Sequence, residues 1–144
     1  MVVGRRSARR QAVFALYKQD LLRIDPEEAI TALSNDDTGT YTIALLRGTS
    51  DQLTVIDETL QQHLADWSLD RLGVLERSIL RIATYELLFQ PTVPKPVIID
   101  EAVELAKRYC SLEASALVNG VLGAMVTDAD WARPTSRSAE EAET

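Results

Sequence analysis

The sequence predicts an all-α fold, a compact bundle of six or seven helices, on three observations. Apolar residues recur at helical spacings along most of the chain, and nowhere does hydrophobicity alternate with period two for long enough to make a strand. Proline falls at the breaks between periodic segments, at Pro26 and at Pro91, Pro94 and Pro96, where it ends one helix or opens the next. With 144 residues, 46% of them hydrophobic, the chain has material for one sizeable core and one domain, placed at residues 1–130. The end of the chain, RPTSRSAEEAET, is small, polar and acidic, so residues 131–144 are expected to be a frayed, disordered tail.

The elements follow in order. Residues 5–22 read as the first helix, with Ala12, Val13, Leu16 and Leu21 facing inward. Asp25-Pro26 ends that run and opens a short second helix through about Leu33, and SNDDTGT is a loop. From Thr40 to about Leu64 the positions of Tyr41, Leu45, Leu53, Ile56 and Leu60 predict one long third helix whose weak point is Gly48. A central helix spans 69–89, with Ser68 or Asp70 as its N-cap, an inward face of Leu72, Leu75, Ile79, Ile82, Ala83 and Leu87, and Arg77 and Arg81 on its solvated side. The prolines of 90–96 predict a stiff, extended link. Beyond it, Ile98, Ala102, Leu105, Ala106 and Tyr109 mark the inner face of a fifth helix, with a Glu104–Arg108 pair in water. The last helix covers roughly 112–127. There Ala116, Gly120 and Gly123 recur at helical spacing. Since an interior glycine costs a helix about 1 kcal/mol against alanine, the expected reason is another backbone passing close by.

Composition excludes several kinds of chemistry. One cysteine, Cys110, and one histidine, His63, cannot make an intramolecular disulfide or an ordinary all-protein zinc site. Cys/His or Ser/His/Asp catalysis could run only through His63, which reads as a surface residue, and Cys110 reads as a buried small hydrophobe. There is no Gly-rich phosphate loop, and the carboxylates fall on outward faces with no apolar pocket pattern around a pair of them. Neither an enzyme nor a cofactor or metal is expected. No apolar run approaches the roughly 18 residues needed to cross a bilayer, and MVVGRRSARR lacks the apolar stretch of a secretory signal. The expectation is a cytoplasmic protein with no membrane partner.

Charge supplies the functional signal. The net charge is −7, yet residues 1–10 hold Arg5, Arg6, Arg9 and Arg10 and no acid, which leaves −11 for the remainder. Such an acidic chain repels polyphosphate everywhere except at that end. On a helix Arg5 and Arg9 are one turn apart, as are Arg6 and Arg10, so the four side chains form a positive stripe. Cations near a helix N-terminus oppose its dipole, so folding alone gives no reason for them. Phosphates give one, because guanidinium forks bind them in bidentate fashion and stack on exposed bases; the alternative is a solvated basic tail. Tyr17 lies two turns beyond Arg10 on roughly the same side, either as a ring for base stacking or as a half-buried core residue.

The segments RRSARRQAVFALY, LLRGTSDQLTVID, WSLDRLGVLERSILRIATYELLF, TVPKPVIIDEAVELAKRY and LVNGVL resemble, in order, the blocks of the NusB transcription antitermination family over about residues 5–126. The resemblance implies an all-helical, non-enzymatic RNA-binding factor. Its partners would be the single-stranded boxA element of ribosomal RNA transcripts, a small-subunit ribosomal protein of the NusE type, and an RNA polymerase antitermination complex that reads through termination signals. It implies RNA contacts from Arg5, Arg6, Arg9, Arg10 and Tyr17, and a place for Glu86 at the NusE-type partner. Some members of the family form homodimers that hide the arginine helix. Two positions depart from the pattern: Leu117 stands where the family usually has phenylalanine, and Gly123 where some relatives are acidic, which removes a negative charge near RNA. A NusB-like domain of a ribosomal RNA cytosine methyltransferase shares the fold, and a scaffold whose arginines contact an acidic protein is the rival from another class.

Overall fold

In a computed structural model, residues 4–33 and 39–128 of the protein are described. Seven α-helices and one 3₁₀ turn make up these residues, with no strand among them: α1 Arg5–Leu22, α2 Pro26–Leu33, α3 Thr40–Asp51, α4 Leu53–Gln62, the 3₁₀ turn Leu69–Arg71, α5 Val74–Phe89, α6 Lys95–Tyr109 and α7 Leu112–Thr127. The all-α bundle expected from periodicity is what forms. Most of the expected loop at 34–40 and the tail at 131–144 lie outside the described residues.

Helix α5 is the hub. It packs against α1, α3, α4, α6 and α7, and it buries Ile79, Leu80, Ile82, Ala83 and Leu87. From α1 the core receives Ala12, Val13, Ala15 and Leu16, from α3 Leu45 and Leu46, and from α7 Val118, Leu122 and Met125. Each large aliphatic buried in this way contributes about 1.5–3 kcal/mol of transfer free energy. The small side chains of Ala8 and Ala12 let α3 approach α1, where the Thr42 hydroxyl donates to the side-chain oxygen of Gln11 at 3.2 Å.

Several expectations are corrected by packing. The single helix expected over 40–64 bends at Gln52, whose backbone departs from helical angles at φ −107° and ψ 21°. The two halves serve different neighbours: α3 packs on α1, α2 and α5, whereas α4 packs on α5, α7 and the 3₁₀ turn. The bend buries Ile56 and Leu60 and leaves Leu53 at the surface. At the other junction, α5 starts only at Val74, after Gly73, because 69–71 closes as a 3₁₀ turn that tucks in Leu69 and Leu72. Helix α6 begins at Lys95, three residues before Ile98, since Pro96 sits in its first turn where no N–H is missed.

The small residues of α7 do not mark a close crossing. A Cβ placed on Gly120 or Gly123 would have no neighbour within 4 Å, whereas one placed on Gly48 would overlap the Tyr85 ring. The close approach is therefore at Gly48 of α3 and not at the glycines of α7. Arg77 and Arg81 do not lie on a solvated face either. Arg77 donates to Asp20 of α1 at 2.7 Å, and Arg81 makes a two-pronged pair with Asp57 of α4 at 2.9 and 2.8 Å. His63 is likewise drawn in, its ring nitrogens facing the Thr59 carbonyl and the Asp128 carboxylate, which ties the end of α4 to the end of α7. Cys110 is half-buried, and burial, aided by Glu76, raises its thiol pKa. Leu21 and Tyr109, expected inward, are 53% and 38% exposed.

Candidate nucleic-acid interface

Helix α1 presents two faces. Ala8, Ala12, Val13, Ala15 and Leu16 point into the core, and Arg9 points there with them. Arg6, Arg10, Phe14, Tyr17 and Leu21 follow one another at three- and four-residue spacings on the other side, with Lys18 next to Tyr17 and four residues after Phe14. The helix opens without a side-chain N-cap and has no acid in its first turn, so nothing at its start offsets the cluster of positive charge against the dipole.

The four arginines consequently have different surroundings. Arg5 is exposed and lies over the ring of Tyr41, 4.4 Å from its centroid, a cation–π contact. Arg6 projects into solvent, its side chain 85% exposed, while its guanidinium pairs with Glu101 of α6, Nη2 lying 3.0 Å from Oε1. Arg10 is exposed. Arg9 alone is buried, and its Nε lies 2.7 and 2.9 Å from the two carboxylate oxygens of Glu86 on α5. Burial works against the Arg9 charge, but the hydrogen bond and the attraction of Glu86 outweigh it, and the guanidinium pKa rises.

Glu86 itself is 1% exposed and also accepts a hydrogen bond from the Tyr41 hydroxyl at 2.8 Å. Burial and then the neighbouring carboxylate push the Tyr41 phenol well above its usual pKa, so the ring stays neutral beneath Arg5. One chain of contacts thus joins Arg9, Glu86, Tyr41 and Arg5 across α1, α3 and α5. The structure leaves Arg5, Arg6 and Arg10 exposed, Arg6 and Arg10 on the outer side of α1 with Tyr17 half-buried beside them and Arg5 over Tyr41 of α3, and it removes Arg9 from that stripe. Glu86 is the internal partner of Arg9 and presents no surface to another protein in this conformation.

Sequence reasoning missed three residues on this face. Phe14 stands four residues after Arg10, outside the inward pattern, and its ring meets Tyr109 of α6 edge-on at 5.0 Å. Lys18 follows one turn later. Tyr41 of α3 enters the sequence pattern only as a helical position, and its role under Arg5 has no signal in spacing. No group of three possible metal ligands occurs among the described residues, and no described helix is long and apolar enough to cross a membrane.

A helical bundle whose first helix carries exposed guanidinium groups beside aromatic rings is a candidate surface for a polyanion. The comparisons narrow that reading. The model of the NusB family matches residues 6–127, and the chain belongs to that family. It is 42% identical over 125 residues to a transcription antitermination protein NusB of an Exiguobacterium species, covering 86% of this chain and 98% of the relative. A NusB of Lysinibacillus sphaericus is also 42% identical, over 118 residues, 82% of this chain and 93% of that one. Among solved structures, T. maritima NusB superposes with a TM-score of 0.84 at 32% identity, covering 97% of this chain and 99% of that one. A chain from the crystal structure of the antitermination factors NusB and NusE in complex with double-stranded RNA gives 0.75 at 31% identity, over 85% and 96%. These relatives carry the name of a transcription factor and not of a catalyst.

Proposed function

We propose that the protein is an RNA-binding antitermination factor that holds the boxA element of ribosomal RNA transcripts jointly with a NusE-type ribosomal protein, and so promotes read-through by RNA polymerase. The observation that carries this reading is the exposure of Arg5, Arg6 and Arg10 on one helix of a chain whose net charge is −7. Three solvent-facing guanidinium groups in an otherwise acidic protein suit phosphates and unpaired bases. Kinship with a NusB solved together with NusE and RNA supports both partners.

The charge balance also explains why a second protein is needed. The acidic remainder of the chain repels RNA beyond the reach of α1, so the isolated protein binds modestly and loses most of that binding at physiological salt. A basic ribosomal partner extends the positive surface. The test titrates a labelled boxA-like single strand with this protein, with the ribosomal protein, and with the two mixed. The mixture should bind more tightly than either protein alone, and an affinity no better than the tighter single protein overturns the joint-binding reading.

A further inference from the structure

An open groove of about 370 Å3 runs along the outer side of α1, walled by Phe14, Tyr17 and Leu33 and rimmed by Arg10 and Lys18. None of its described lining residues is acidic, although the chain has 22 acids against 15 basic residues. Arg6, Arg9, Arg47, Arg77 and Arg81 each reach a carboxylate, whereas Arg10 and Lys18 pair with none of the described residues. Phe14 is not accounted for by the core, because α1 is buried through Ala8, Arg9, Ala12, Val13, Ala15 and Leu16. It is instead pinned from the far side by the edge-on ring of Tyr109, itself partly exposed.

We propose that this groove is a stacking site for an unpaired nucleobase of single-stranded RNA, with Phe14 and Tyr17 as its aromatic walls and Arg10 and Lys18 as contacts to the flanking phosphates. Arg10 and Lys18 are eight residues apart, about 12 Å along the helix, with both rings between them, so a strand following α1 meets a cation, then aromatic surface, then a cation. That alternation is how single strands are held without base-specific hydrogen bonds. A second copy of the chain fits less well, since a two-fold contact centred on the groove sets the same cations against each other. Tyr109 is a positioning residue for Phe14. The inference rests on the RNA-binding reading and extends it to Phe14, Lys18 and the groove.

The experiment measures affinity and its salt dependence for a fluorescein-labelled boxA-like single strand and for the same strand with its bases removed. The proteins are the wild type, Phe14→Leu, Lys18→Gln and, as a reference for the reading itself, Arg6→Gln. Circular dichroism and light scattering accompany each. Phe14→Leu should weaken binding about 5- to 100-fold with the slope of log affinity against log salt unchanged, and should make no difference on the abasic strand. Lys18→Gln, a surface change that leaves the core intact should Phe14→Leu fail to fold, should lower the slope by about 0.7. If Arg6→Gln weakens binding while Phe14→Leu and Lys18→Gln do not, the groove is not a base site and the broader reading stands. If the wild type binds no RNA, the reading itself fails. A Phe14→Leu effect confined to the oligomeric state assigns the groove to a contact between copies and overturns the proposal.

Discussion

Arg9 carries a guanidinium whose chemistry is that of its three neighbours, yet it performs a different task. Its side chain is 6% exposed and faces a carboxylate 1% exposed. Removing one partner of such a buried pair strands the other charge, at a typical cost of about 3–5 kcal/mol. Arg9→Ala should therefore lower the melting temperature sharply, and Glu86→Leu should recover much of the loss when added to it, which thermal melts of the single and double variants will show. Arg6→Ala should leave the melt almost unchanged, since an exposed ion pair is worth about 0–1 kcal/mol, while lowering the salt slope of RNA binding by about 0.7. The difference was legible in part: Arg9 precedes Ala12, Val13 and Leu16 by three, four and seven residues, which is the inward spacing of α1. Charge type masked it, because a lone sequence does not reveal that α5 supplies Glu86 at that depth.

At the scale of elements, α1 at 5–22, α2 through about Leu33 and α7 at roughly 112–127 were legible and lie close to the observed bounds, because apolar periodicity and proline breaks are local signals. The bend at Gln52 was not legible, since no proline or glycine stands at that position, and the cause is that α3 and α4 settle on different neighbours. Glycine is the instructive case. Gly48 of α3 lies against the Tyr85 ring, which stacks on Phe89 at 5.4 Å. A methyl group there forces both rings to move, which costs about 1–3 kcal/mol, against a gain in helix propensity of about 1 kcal/mol. Gly48→Ala should thus be destabilising in denaturant titrations, by up to about 2 kcal/mol. Gly120, whose added Cβ has open space, should behave oppositely, and Gly120→Ala should stabilise by about 0.5–1 kcal/mol. Equal responses from the two would mean that the packing of α3 on α5 is misassigned.

Across the whole molecule, charge is sorted by function. Carboxylates of α1, α4 and α5 neutralise Arg77, Arg81 and Arg9, so those pairs hold the bundle together, whereas Glu101 of α6 meets Arg6 only at the exposed surface. Arg5 and Arg10 pair with no carboxylate among the described residues, and with Arg6 they form the solvent-facing cationic surface. The net excess of acids could be read from composition, and so could the basic start. Which cations are spent internally could not, because Asp20, Asp57 and Glu101 meet their partners only through tertiary packing. The central claim is that the exposed α1 arginines are a phosphate-binding surface with no part in folding. The most direct measurement is the salt dependence of RNA affinity for the wild type and for a triple variant, Arg5→Gln, Arg6→Gln and Arg10→Gln, with a thermal melt of each. The account predicts a slope lower by about 2, from roughly 0.7 per lost phosphate contact on a single strand, together with a nearly unaltered melt. An unchanged slope and affinity in a folded triple variant would contradict it.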